Sequence, residues 1–79
     1  MNISKEGIMS DVKYDVIEKV GVIAENKGYT KEVRIISWNG GEPKIDIRNW
    51  TPNGPGKGIS FSREEAEKLA GFLQELLKK

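Results

Sequence analysis

The amino-acid sequence predicts an α+β domain, a four-stranded antiparallel twisted sheet followed by one C-terminal helix (ββββα). Three observations carry that expectation. Val- and Ile-rich runs alternate with polar residues between Tyr14 and Phe61, Gly- and Asn-containing turn signals punctuate them, and a capped apolar stripe of helical period closes the chain. With 79 residues there is room for one packing unit only.

Residues 1–12 have neither strand nor helix periodicity and little apolar mass, so a flexible tail is expected ahead of a folded domain at 13–79. From Tyr14 to Ala24 the chain reads as a strand with Tyr14, Val16, Val20 and Val22 on one face, and Gly21 marks a bulge. Glu25-Asn26-Lys27-Gly28 is a turn leading into a second strand at 29–38. There Val33 and Ile35 face one way, and Glu32, Arg34, Ile36 and Trp38 the other. Asn39-Gly40-Gly41 turns the chain into a third strand at 44–50, with Ile45 and Ile47 inward and Lys44, Asp46, Arg48 and Trp50 outward. Thr51–Gly56, with two prolines and two glycines, is expected to be an irregular loop. Lys57–Phe61 supplies a short fourth strand with Ile59 and Phe61 inward.

Ser62-Arg63-Glu64-Glu65 is a capping box that starts a helix. Its apolar residues Ala66, Leu69, Ala70, Leu73, Leu76 and Leu77 form one stripe, widened by Phe72. That stripe is wider than one sheet face needs, so Leu69, Phe72, Leu73, Leu76 and Leu77 are assigned to a dimer interface. A partner subunit also suits a small core without a covalent staple, because the chain has no cysteine.

The chain has no histidine either, which removes the usual transition-metal ligands and most general-base and nucleophile arrangements. An enzyme is not expected, nor a metal, a cofactor or a small-molecule substrate. No apolar run is long enough for a membrane span, and a soluble cytoplasmic protein is the expectation. Thirteen basic residues against twelve acidic give a formal charge of +1, so a phosphate-binding surface would require the cations to gather on one face.

The outward face of the middle strands places Arg34, Trp38, Lys44, Arg48 and Trp50 at alternating positions. Bases stack on aromatic faces while cations follow phosphates, so this mixture suits sequence-tolerant single-strand binding. The other reading is that both indoles fill a dimer core and the cations are ordinary solvated groups; the residues alone leave both open. Lys57, between Gly56 and Gly58, is a further phosphate candidate, although Gly54-Pro55-Gly56-Lys57 lacks the Ser/Thr and helix of a P-loop. Asp46 reads as an ion-pair partner, across strands, of Arg34 or Arg48 rather than a catalytic acid.

Taken together, Lys44-Ile45-Asp46-Ile47-Arg48, Trp50, Pro55-Gly56-Lys57-Gly58-Ile59-Ser60-Phe61 and the capped helix resemble the transcriptional coactivator PC4 (p15-like) family, especially its short bacterial members of the YdbC type. The likeness covers about residues 33–77. It implies a homodimer with helices at the interface and sheets presenting grooves to single-stranded DNA with little sequence dependence, in transcription regulation, replication or repair. Under that resemblance Arg34, Arg48 and Lys57 meet phosphate and Trp50 stacks, while Trp38 stands beside the family's aromatic position. The loop before Lys57 is shorter than in the eukaryotic coactivators and lacks their extra basic residue, and their Ser/Lys-rich regulatory tail is missing. The competing functions are an RNA-binding protein and a protein-interaction module anchored by Trp38 and Trp50.

Overall fold

In the computed structural model, residues 13–79 are described; the expected tail at 1–12 lies outside the described residues. The elements follow the order β1 (Tyr14–Asn26), β2 (Tyr29–Trp38), β3 (Lys44–Thr51), β4 (Gly54–Phe61) and α1 (Arg63–Leu77). The strands form one antiparallel sheet in sequence order, so β1 and β4 are its edges. Short connections make this meander the natural topology.

The turns are set by residues able to adopt positive φ. Asn39 and Gly40 have φ of 52° and 75°, and the amide of Gly41 donates to the carbonyl of Trp38 at 2.8 Å. This is the twist-matched two-residue turn that favours Asn-Gly. Asn39 also ties down the start of β1: its amide donates to the Lys13 carbonyl at 2.7 Å, and its Oδ1 accepts from the Lys13 amide at 3.1 Å.

Two boundaries differ from expectation. β1 continues to Asn26, which leaves Lys27-Gly28 as the turn. Thr51–Gly56 is not an irregular loop, because the turn needs only Pro52 and Asn53 and β4 begins at Gly54. Gly54 has a φ of 121°, the Thr51 hydroxyl donates to its carbonyl, and Pro55 sits on an edge strand, where its missing N–H is tolerated.

The sheet is strongly coiled. Register shifts fall between Val16 and Glu18, Lys19 and Gly21, and Val22 and Ala24, so thirteen residues of β1 oppose ten of β2. Each unpaired residue bends its strand and increases twist. The expected alternation in β1 therefore fails: Tyr14, Val16, Val20 and Val22 are exposed instead of sharing a buried face. The face of the middle strands read as outward is also buried. Ile36, Asp46, Glu32 and Trp50, all on the face read as outward, are 0, 0, 4 and 8% exposed. Across the sheet, Val33, Ile35, Ile45 and Ile47 are only half-buried and Ile59 is exposed.

The helix begins as read, with the Glu65 amide donating to Ser62 Oγ at 3.1 Å and the Ser62 amide donating to Glu65 Oε1 at 2.9 Å. It touches β3 and β4 but no other described strand, and buries none of its residues within the chain. Ala66 and Leu69 are half-buried, whereas Phe72, Leu73, Leu76 and Leu77 are exposed. The helix does not cover a sheet face by itself.

Candidate nucleic-acid interface

The register brings Arg34, Lys44, Arg48 and Trp50 onto one face, whereas Lys57 is unpaired in the register shift between β3 and β4. Arg34 lies opposite Asp46, Glu32 opposite Arg48, Ile36 opposite Lys44 and Thr30 opposite Trp50. Strand alternation puts Trp38 on the same side.

Two carboxylates organise this face. Asp46 grips Arg48 with a two-pronged fork, Nε donating to Oδ1 at 2.8 Å and a terminal nitrogen donating to Oδ2 at 2.9 Å. The same Oδ2 accepts from the Ser60 hydroxyl at 2.7 Å, and Ser60 Oγ accepts from Trp38 Nε1 at 3.1 Å. Arg48 also donates to the Gly56 carbonyl at 2.9 Å. The expected pairing of Asp46 with an arginine is present, but within β3 rather than across strands: Arg48, two residues along, is the partner, while Arg34, which lies opposite Asp46, is held by Glu32. Glu32 plays the matching part for Arg34, whose Nε and terminal nitrogen lie 2.8 and 2.7 Å from Oε1. Thr30 donates its hydroxyl to Glu32 as well, and Lys19 approaches at 3.8 Å. The Thr30 hydrogen bond, followed by that from Arg34 and the nearby cationic charge, holds the Glu32 carboxyl below its ordinary value despite burial.

Each arginine so held lies over a tryptophan in a crossed arrangement. The guanidinium of Arg34 is 3.8 Å from the Trp50 ring centroid, and that of Arg48 is 4.8 Å from Trp38. Both distances fall within the range of cation–π attraction. Tyr14 completes the cluster, its ring centroid 5.5 Å from Trp38 and 5.6 Å from Trp50 at tilts of 47° and 58°. In a flat sheet this would be impossible. Tyr14 pairs with Trp38 and Trp50 with Thr30, eight positions apart along β2, or about 26 Å at ~3.3 Å per residue. The coiling of the sheet folds those opposite corners together.

The sequence-derived candidates thus have different accessibilities. Lys44 and Lys57 are exposed and Trp38 is half-buried. The side chains of Arg34 and Arg48 are only 17 and 14% exposed and are already ion-paired. Trp50 is buried behind Arg34 and Tyr14, and its Nε1 has no hydrogen-bond partner among the described residues. Lys57 lies where β4 gains a residue on β3, between the Arg48–Gly58 and Trp50–Pro55 pairs. Gly58 leaves room for Arg48 rather than for an approaching phosphate, since a Cβ there would lie 1.9 Å from the Arg48 Cβ.

Three contributors were missed by pattern reading. Glu32 and Ser60 looked like ordinary strand polars, but Glu32 stands two residues before Arg34 on the same face of β2, a signal present in the sequence itself, and Ser60 stands opposite Asp46 once register is known. Tyr14 was read only as one of the residues on one face of β1; it lies opposite Trp38 across the ladder, and the coiling of the sheet brings it to Trp50 as well.

A coiled ββββα sheet that carries crossed arginine–tryptophan pairs on one face defines a small, single-sheet α+β domain. The model of the Transcriptional Coactivator p15 (PC4) family matches residues 26–71. Over 77 residues the chain is also 35% identical to an uncharacterized protein of Treponema pallidum (strain Nichols), covering 91% of each chain. This chain belongs to the PC4 family.

Proposed function

We propose that this protein is a homodimeric single-stranded DNA-binding protein with little sequence specificity, non-enzymatic and cytoplasmic, acting in transcription regulation, replication or repair. The observation that carries the reading is the aromatic and arginine face in a chain of this family. Trp38 offers a half-exposed ring held in orientation by Ser60 and Arg48. Stacking on such a ring tolerates any base, since every base has a π-face. Lys44 and Lys57 supply mobile cations for phosphate. Arg34 and Arg48 brace the indoles and turn their remaining N–H groups to the backbone of the strand, and Trp50 backs the platform. No helix among the described residues is long and apolar enough to cross a membrane.

Dimerisation is supported by the exposed row Phe72, Leu73, Leu76 and Leu77, with Leu69 at its margin, beside the half-buried isoleucines of β3. A second copy laid there would bury both. The burial of Trp50 argues against a pair of tryptophan anchors for a protein partner.

Fluorescence anisotropy of a labelled oligo-dT of about 20 nucleotides, longer than a ~4–16-nucleotide site, tests the reading when titrated at several salt concentrations. Tight binding whose log K falls linearly with log salt is expected. A salt-independent isotherm, or none, refutes it, and an oligo-U that binds more tightly than oligo-dT reassigns the ligand to RNA.

A further inference from the structure

The aromatic cluster contains a contradiction if it is to receive a base as it stands. Trp38 is open enough to stack a base on its outer side, but a base can stand between the two indoles only if that space is vacated, because Trp50 is 8% exposed, with Arg34 on its ring at 3.8 Å and Tyr14 beside it at 5.6 Å. One neighbour must move. Arg34 is pinned by two contacts to the buried Glu32 carboxylate. Asn39 holds the backbone beside Tyr14 through two hydrogen bonds to Lys13, but the Tyr14 side chain is tied far less firmly. It stands at the first position of an edge strand, is 36% exposed, and its hydroxyl makes no hydrogen bond among the described residues. The second pointer is the buried Trp50 Nε1, a donor without an acceptor among the described residues. Such a group in a native protein calls for a ligand, water or strain to explain it.

We propose that Tyr14 is the movable wall of a box for one nucleobase, filling in the free protein the place between the two indoles that a base takes in the complex. This deepens, and rests on, the reading of the protein as a single-strand binder. With Tyr14 swung out, a base occupying its place stands against Trp38, and its carbonyl or ring nitrogen comes within reach of the Trp50 N–H. The ring of Tyr14 thus keeps an apolar slot covered until a strand arrives, and the apparent affinity is lowered by the fraction of molecules in which the slot is open.

Fluorine NMR on the unmutated chain tests this without relying on a variant's fold. Both tyrosines, Tyr14 and Tyr29, are replaced biosynthetically by 3-fluorotyrosine, and the signals are assigned with Tyr29→Phe. In the free protein the Tyr14 signal is displaced by the ring currents of two indoles. On saturation with oligo-dT it is expected to move to the position of exposed fluorotyrosine. A Tyr14 signal that keeps its free-protein shift while anisotropy in the same sample reports binding overturns the box. Failure of oligo-dT to bind at all overturns the functional reading and the box with it. A second arm uses Tyr14→Ala. For a closed form outnumbering the open one by about ten to one, its affinity for oligo-dT rises by about tenfold, and acrylamide quenching of Trp50 in a Trp38→Phe background increases. A weaker affinity with the amide spectrum still dispersed makes Tyr14 a fixed platform instead and overturns the proposal.

Discussion

Asp46, Glu32 and Gly58 decide how the arginines behave. Asp46→Ala leaves Arg48 partly buried with its fork unfilled, and breaking a buried pair from one side costs about 3–5 kcal/mol; urea unfolding is expected to record a loss of that size. Glu32 adds a pH dependence. Its folded carboxyl titrates below the ordinary value near 4.5, so its stabilisation is complete above that value and lost as pH falls through the lower folded value. Urea midpoints measured from pH 6 to pH 3 should decline in the parent chain and decline less steeply in Glu32→Gln. Trp50→Ala is expected to act through the fold, costing about 3–5 kcal/mol of stability as a buried aromatic truncation does. Trp38→Ala, at a half-exposed ring, is expected to cost about 1–3 kcal/mol of oligonucleotide binding with an unchanged salt slope. The grouping of Arg34, Trp38, Lys44, Arg48 and Trp50 was legible in the sequence because parity in β2 and β3 is uninterrupted between Thr30 and Trp50. Their accessibilities were not legible, since they depend on how far the sheet curls.

At the scale of elements, those with strong local signals emerged as read. The Ser62 and Glu65 capping box is present in both halves, and Ser62→Ala is expected to remove about 0.5–2 kcal/mol, visible as a lower thermal midpoint. The β2 boundaries and the Asn39-Gly40 turn also follow from local chemistry. The β3–β4 connection was misread because its two prolines and two glycines look like breakers in isolation. An edge strand with a bulge accommodates them, and being an edge is a property of the sheet rather than of the segment. β1 was legible as a strand with one irregularity at Gly21; the repetition of the shift at three places was hidden, because Ile17, Val20 and Ile23 look like ordinary strand residues.

For the whole molecule, the exposed row of the helix and the half-buried β3 isoleucines lead to an expected dimer mass in sedimentation at micromolar concentration. Leu73→Asp, which would bury an unpaired charge in that interface, should yield monomer or unfolded chain. The charge balance of the arginine and tryptophan face sets the expected salt response. Arg34 and Arg48 are matched by Glu32 and Asp46, so under the proposed single-strand binding the lysines are expected to neutralise more phosphate charge than the arginines do. Lys57→Ala and Lys44→Ala should each lower the slope of log K against log salt by about one unit, while Arg48→Ala weakens binding with a smaller change of slope. A near-neutral total charge is thus compatible with a phosphate-following surface, because the acids on that surface are already occupied.

The spare residues of β1 behave like the extra length of the outer rail on a curved track. Ile17, Val20 and Ile23 have no partner across the ladder, so each can be deleted while the paired residues on either side close up again. Removing Val20 alone should therefore leave a folded sheet with a shallower bend. Its far corner would swing outward and carry Tyr14 away from Trp50. Curvature in this protein is written as chain length, one residue at a time, and a single deletion adjusts it. The expected signs are a red-shifted Trp50 emission and an unchanged far-ultraviolet circular dichroism spectrum.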